Sequence, residues 1–278
     1  MSKRRKTKYP EIEKMLDSLC YSRSLWDVWN DVMFIIAAAL SNPLDCGERR
    51  DIREKTYMQT IKKYSQNEQE TISIIFANII IALEENPNQD LLGDMYMDLD
   101  LGVKEQGQFF TPYYICDFMA KITADSVNNK KAIEEKEYIS MNEPTCGSGA
   151  MIIAYVNALK EEGINYQTDA FIVAQDISYT AVLMCYIQMS LLGCAGVVIC
   201  GNSLTQPNID IQTFLEVNTN AWFTPMYQSD LWKSRREAKL LTEMIRFSEH
   251  NPNKQKAASI ESPEQIFKPE QLSLFDNI

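Results

Sequence analysis

Four short segments carry residue types suited to holding a nucleoside. Glu143-Pro144-Thr145-Cys146-Gly147-Ser148-Gly149 puts two glycines in a turn between an apolar run and a helical pattern. Glycine lacks a Cβ, so the backbone there can bend tightly and a ligand can lie against the main chain. Asp176 closes the next apolar run, where a carboxylate can accept both hydroxyls of a ribose. Gly201-Asn202-Ser203 closes the run after that, where a side-chain amide could meet an adenine edge. Upstream, in Gly107-Gln108-Phe109-Phe110-Thr111-Pro112, Thr111 reads as a helix cap and Pro112 as the first helical position. That structural role leaves the glutamine and the paired phenylalanines unexplained.

The elements needed to position these residues are legible in the hydropathy pattern. Tyr138-Ile139-Ser140-Met141 predicts a strand, followed by the glycine turn and a helix from Ala150 to about Glu162. Phe171-Ile172-Val173, an apolar helix over 178–192, and Val197-Val198-Ile199-Cys200 continue the alternation. Strand, helix, strand, helix, strand predicts a parallel, doubly wound sheet, whose ligands bind at the carboxyl ends of the strands. Residues 1–105 read as a helical domain instead. Leu25-Trp26, Val28-Trp29 and Met33-Phe34-Ile35 recur at three- and four-residue spacing, and 71–85 repeats that signature up to Asn86-Pro87. After Leu204, Ile209-Asp210-Ile211 with Phe214-Leu215 makes a further strand candidate, 231–248 a charged helix, and 251–269 a polar linker.

Taken in order, the Gln108-Phe109-Phe110-Thr111-Pro112 segment, the Glu143–Gly149 turn and Ala174-Gln175-Asp176 resemble the N-6 adenine-specific DNA methylases found as modification subunits of type I restriction systems. Asp90-Leu91-Leu92-Gly93-Asp94-Met95-Tyr96 is similar to that family's helical lead-in. The resemblance covers roughly 25–204. It implies an α/β, Rossmann-like, S-adenosylmethionine-dependent methyltransferase sheet, shorter than usual, over 106–228, with 229–278 as helix, linker and tail. By resemblance, Gln108, Phe109 and Thr111 hold the methionine end of the cofactor. Gly147 and Gly149, in the turn with Glu143 and Cys146, let it rest on the backbone. Asp176 binds the ribose and Asn202 faces the adenine. The family usually has glutamate at the Asp176 position and often aspartate at the Asn202 position.

The catalytic element of these enzymes, Asn/Asp-Pro-Pro-Tyr/Phe at the end of the fourth strand, is absent from the sequence. In the family its aromatic ring stacks on an adenine flipped from the duplex, and its polar arm accepts from the 6-amino group. Phe223-Thr224-Pro225-Met226-Tyr227 falls about where that element belongs, which makes Thr224, Pro225 and Tyr227 the catalytic candidates. Two readings remain: a compact adenine-specific DNA methyltransferase, or a methylase-derived anti-restriction or regulatory subunit that keeps the cofactor pocket without the chemistry. A methyltransferase acting on RNA or protein is disfavoured by the Gln108–Pro112 segment.

Charge bears on the partners. With 27 Lys and Arg against 38 Asp and Glu the net charge is −11, whereas proteins that grip DNA unaided present a basic surface. A specificity subunit or second methylase subunit is therefore expected to hold the duplex, aided by the basic clusters at 3–8 and 233–239. Seven cysteines without a Cys-x-x-Cys pair read as reduced thiols, and the single histidine, His250, argues against a metal site. The apolar stretches 32–40 and 75–83 are too short to span a bilayer. The basic start has no signal-peptide core behind it, so a cytoplasmic location is expected. Gln271, Leu272, Leu274 and Phe275 form an apolar island in the tail that resembles a peptide docking onto the replication sliding clamp.

Overall fold

A computed structural model of the chain describes residues 8–102, 109–124, 126–206 and 220–250. The strand expected over 209–215, residue Gln108 and the tail residues 271–275 lie outside them.

Five helices come first: α1 (Pro10–Ser18), α2 (Leu25–Ser41), α3 (Gly47–Ile61), α4 (Gln66–Glu85) and α5 (Leu91–Asp98). Ser24 starts α2, its side chain accepting from the Asp27 amide at 3.1 Å. From Val32 to Ala38 every residue of α2 is buried, as befits a helix that is apolar around its circumference. Ser65 starts α4 through a reciprocal cap: the Glu68 amide donates to its hydroxyl, and its own amide donates to the Glu68 carboxylate. Replacing Ser65 with alanine is expected to lower stability by about 1 kcal/mol, as losses of such caps do. An unshifted urea midpoint would show that the cap contributes nothing here.

The second half holds α6 (Tyr113–Thr123), α7 (Ser126–Lys136), β1 (Ile139–Glu143), α8 (Ala150–Glu161), α9 (Tyr166–Asp169), β2 (Ala170–Asp176), α10 (Tyr179–Leu191), β3 (Ala195–Cys200) and β4 (Ala221–Phe223). A 3-10 turn (Pro225–Gln228) and α11 (Asp230–His250) follow. The sheet order is β1-β2-β3-β4. The first three strands are parallel, as the alternation predicts. The expectation of a wholly parallel sheet is corrected at β4, which returns antiparallel along β3 with Val197 opposite Phe223 and Ile199 opposite Ala221.

The buried Arg53 anchors that edge strand. It donates to the Asp45 carboxylate at 2.5 Å, to Ser41 at 2.9 Å and to the carbonyl of Ala221. Its guanidinium lies 3.8 Å from the centre of the Trp222 ring, a favourable cation–π placement. Residues of α8 and α10 pack with Ile172, Ala174 and Val198 on one face of the sheet. The other face, carrying Phe171, Val173, Val197 and Ile199, is covered by Tyr227 and Trp232 from the chain after β4. Both α2 and α5 pack against α10, and one continuous apolar core runs from Ile12 through Trp29 and Met95 to Ile172 and Trp222. Among the described residues no helix is long and apolar enough to cross a membrane.

Candidate active-site cleft

A cleft of about 1180 Å³ opens at the carboxyl ends of the parallel strands. One wall is the turn after β1 and the end of β2, with Glu143, Cys146, Gly147 and Asp176. The facing wall comes from α2 and α3, with Trp26, Asn30, Asp31 and Thr56.

The glycine turn is held by its neighbours. The Cys146 amide donates to the Gln175 carbonyl at 2.9 Å, and the Gly149 amide to the Cys146 carbonyl at 2.8 Å. Gly147 and Gly149 have φ of +54° and +103°, in the region where a side chain is strained. A Cβ on Gly147 would also sit 3.1 Å from the Phe110 ring, so any side chain there would have to push that phenylalanine aside by a few tenths of an ångström. Gly149 caps α8, whose positive end faces the cleft.

Asp176 ties β2 to this turn. Its Oδ2 accepts from the Gly147 amide at 2.9 Å and its Oδ1 from the Ser178 amide at 2.8 Å. An ionised carboxylate offers about four acceptor positions, so two amides leave room for two hydroxyls. Phe109 is exposed on the same cleft, with Phe110 and Thr111 beside it. Cys116 also lines the cleft, but burial, with help from the Asp90 charge, pushes its thiol up to about 11. It is therefore no thiolate nucleophile at neutral pH.

Seven of the expected cofactor residues thus meet in one place: Phe109, Thr111, Glu143, Cys146, Gly147 and Asp176 line the cleft, and Gly149 closes the turn behind them. Asn202 is a correction. It stands at the end of β3, but its Oδ1 accepts from the Leu204 amide at 2.9 Å, closing its own turn, and it does not line the cleft.

Thr224, Pro225 and Tyr227 are corrected more strongly. Because β4 runs backwards, its end lies beside the start of β3, at the opposite end of the sheet from the cleft. The buried Thr224 hydroxyl donates to the Cys194 carbonyl at 2.7 Å and accepts from the Gly196 amide at 3.0 Å. Tyr227 is buried among Phe171, Phe223 and Trp232, with centroid distances of 5.0, 6.1 and 6.1 Å. Arg236 lies over its ring at 4.2 Å. Thr224 thus pins the edge strand, Pro225 opens the 3-10 turn and Tyr227 fills the core.

The sequence reading gave no role to Asp90, which the structure buries behind the glycine turn. Asp90 accepts from the Ser148 hydroxyl, from Gln188 Nε2 at 2.8 Å and from the Gly93 amide at 3.0 Å. Burial pushes its pKa up, against the lowering effect of those three donors. A Cβ on Gly93 would fall 2.0 Å from the Asp90 carboxylate, so glycine there lets α5 approach the turn. An acidic helix cap followed by two leucines and then a glycine, Asp90-Leu91-Leu92-Gly93, is the signal that could have found it. Among the described residues no cluster of three or more His, Cys, Asp or Glu has metal-holding geometry.

A family model described as N-6 DNA Methylase matches residues 87–260 of the chain. No curated protein and no solved structure gives a match.

Proposed function

Because the chain belongs to the N-6 DNA methylase family, we propose that it binds S-adenosylmethionine in this cleft and methylates adenine N6 in DNA. The carrying observation is the convergence of Asp176, Gly147 and the Phe109–Thr111 segment on one cavity at the strand ends. The residues fit a nucleoside cofactor: a carboxylate with spare acceptor positions, a turn that excludes side chains, and a helix N-terminus. A bound S-adenosylmethionine would supply an electrophilic methyl for the adenine amino group, which would give up one proton to solvent as it is alkylated. Asp176 would hold the ribose, and the Gly147 turn would let the methionine side rest close to the backbone. Phe109, exposed beside the cleft, and Phe110, against Gly147, would bound the methionine end.

The net charge of −11 favours a type I-like arrangement in which a second subunit grips the duplex, since phosphate neutralisation supplies most nonspecific affinity. A second reading, a cofactor-binding subunit without transfer, is favoured by the burial of Thr224 and Tyr227 far from the cleft. Incubation with radiolabelled cofactor and unmodified DNA, with and without the candidate recognition subunit, separates the two. Transfer to N6 is expected, undiminished in Tyr227→Phe because that ring lies at the far end of the sheet from the cleft. Cofactor binding without any incorporation under either condition would leave the second reading.

A further inference from the structure

We propose that Trp26, near the start of α2, is the stacking platform for the acceptor base. An adenine extruded from DNA would lie on its indole, across the cleft from the glycine turn. This rests on the methyltransferase reading above and names the site of its second substrate.

The cleft is larger than one nucleoside requires, since small-molecule sites span about 300–1,000 Å³, and at about 1180 Å³ it has a second wall to spare. Trp26 stands on that wall and is 48% exposed, while Trp29, Trp222 and Trp232 are 1, 1 and 2% exposed. A lone surface tryptophan needs no explanation, but this one faces a cavity and is held in place. Its side chain lies beside that of Tyr96, close enough to act on the phenol's titration. Tyr96 is itself buried, with its ring 5.5 Å from that of Phe110 and 6.0 Å from that of Trp29. Phe110 in turn lies directly under Gly147. Gly147, Phe110, Tyr96 and Trp26 therefore form one contiguous series from the turn to the facing wall.

Polar groups suited to a purine flank it. Asn30 donates to the Trp26 carbonyl at 2.8 Å, and its Oδ1 accepts from Thr180. An amide oxygen has a second lone pair, which an exocyclic amino group can use. Other exposed aromatics on the cleft are placed differently. Tyr179 leans on Trp222 at 6.4 Å just beyond Asp176, on the ribose side, and Phe109 belongs to the segment that closes the methionine end. With Tyr227 buried elsewhere, Trp26 is the aromatic that can receive a base.

Being the exposed tryptophan, it is its own reporter. Whole protein saturated with S-adenosylhomocysteine is titrated with single-stranded oligodeoxyadenylate, an abasic strand of equal length serving as control. Stacking is expected to quench the emission and to reduce its quenching by acrylamide. Trp26→Ala should weaken binding of the oligonucleotide roughly tenfold, the order seen for loss of base stacking. Trp26→Phe should recover part of that, and S-adenosylhomocysteine affinity should change less than about twofold in both variants, since the cofactor lies on the other wall. Equal oligonucleotide binding by Trp26→Ala and parent, or adenylate and abasic strands quenching alike, would overturn the proposal. Failure of the parent to bind S-adenosylhomocysteine, with quenching and the Trp26→Ala loss retained, would overturn the cofactor reading and leave the base site standing.

Discussion

Asp176→Ala is expected to weaken S-adenosylhomocysteine binding by about 100-fold or more. Hydrogen bonds to charged groups contribute about 1.5–3 kcal/mol each, and two ribose hydroxyls would lose their acceptor together. At about 1.4 kcal/mol per tenfold that alone reaches two decades or more. The variant also leaves the Gly147 and Ser178 amides, now bonded at 2.9 and 2.8 Å, without their carboxylate, so the turn loosens as the ligand contact is lost. Asp176→Asn should fall between parent and alanine, since its oxygen can satisfy one amide while its NH₂ confronts the other donor. Calorimetric titration reads the affinity, and a thermal melt without ligand separates loss of contact from loss of fold. Parent-like affinity in Asp176→Ala would remove the ribose assignment.

The second large effect is expected at Asp90. Its carboxylate is the common acceptor for Ser148, Gln188 and Gly93, drawn from the glycine turn, α10 and α5. Leaving buried donors without an acceptor costs about 1–3 kcal/mol apiece. Gln188 Nε2 keeps its 2.8 Å bond to the Ser148 carbonyl, so the total for Asp90→Ala comes to about 3–4 kcal/mol. Asp90→Asn retains one oxygen acceptor, and the Ser148 hydroxyl can rotate to accept from its NH₂, so about 1 kcal/mol is expected there.

The pH dependence has a definite sign. Burial raises the native Asp90 pKa above its ordinary value of 3.8, so the folded protein holds this proton more tightly than the unfolded chain. The associated stability is fully present below about pH 4 and is lost as pH rises through the raised native value. Urea unfolding of parent and Asp90→Asn between pH 4 and 8 should therefore show the difference moving in favour of the asparagine variant as pH rises. A difference that stays constant with pH would mean that Asp90 is not titrating from a raised value.

What the sequence revealed follows from the range of the interactions. The apolar helix over 178–192, the glycine turn and the three parallel strands are set by residues within a few positions of one another, and each lies within about three residues of its expected bounds. Asp176 was recognisable because a strand end fixes where its carboxylate must be. Direction of pairing is not local. Ala221-Trp222-Phe223 is equally suited to a parallel or an antiparallel neighbour, and in the reversed direction its Ala221 carbonyl meets Arg53, far away in sequence. That reversal carried Thr224 and Tyr227 to the wrong end of the sheet. The role of Trp26 was hidden likewise. On α2 it belongs to the same apolar spacing as Trp29, and only the docking of α2 against α10 distinguishes the ring that faces the cleft from the ring that fills the core.

The burial of α2 constrains how such a protein could be recombined over evolutionary time. A gene rearrangement that grafted the sheet alone onto another protein would leave Val182, Tyr186 and Met189 of α10, now at most 1% exposed, facing water, and would break the Asp90 link to the glycine turn. Helices and sheet must be inherited together. Lineages can vary this protein at its surface far more readily than by shuffling its two halves.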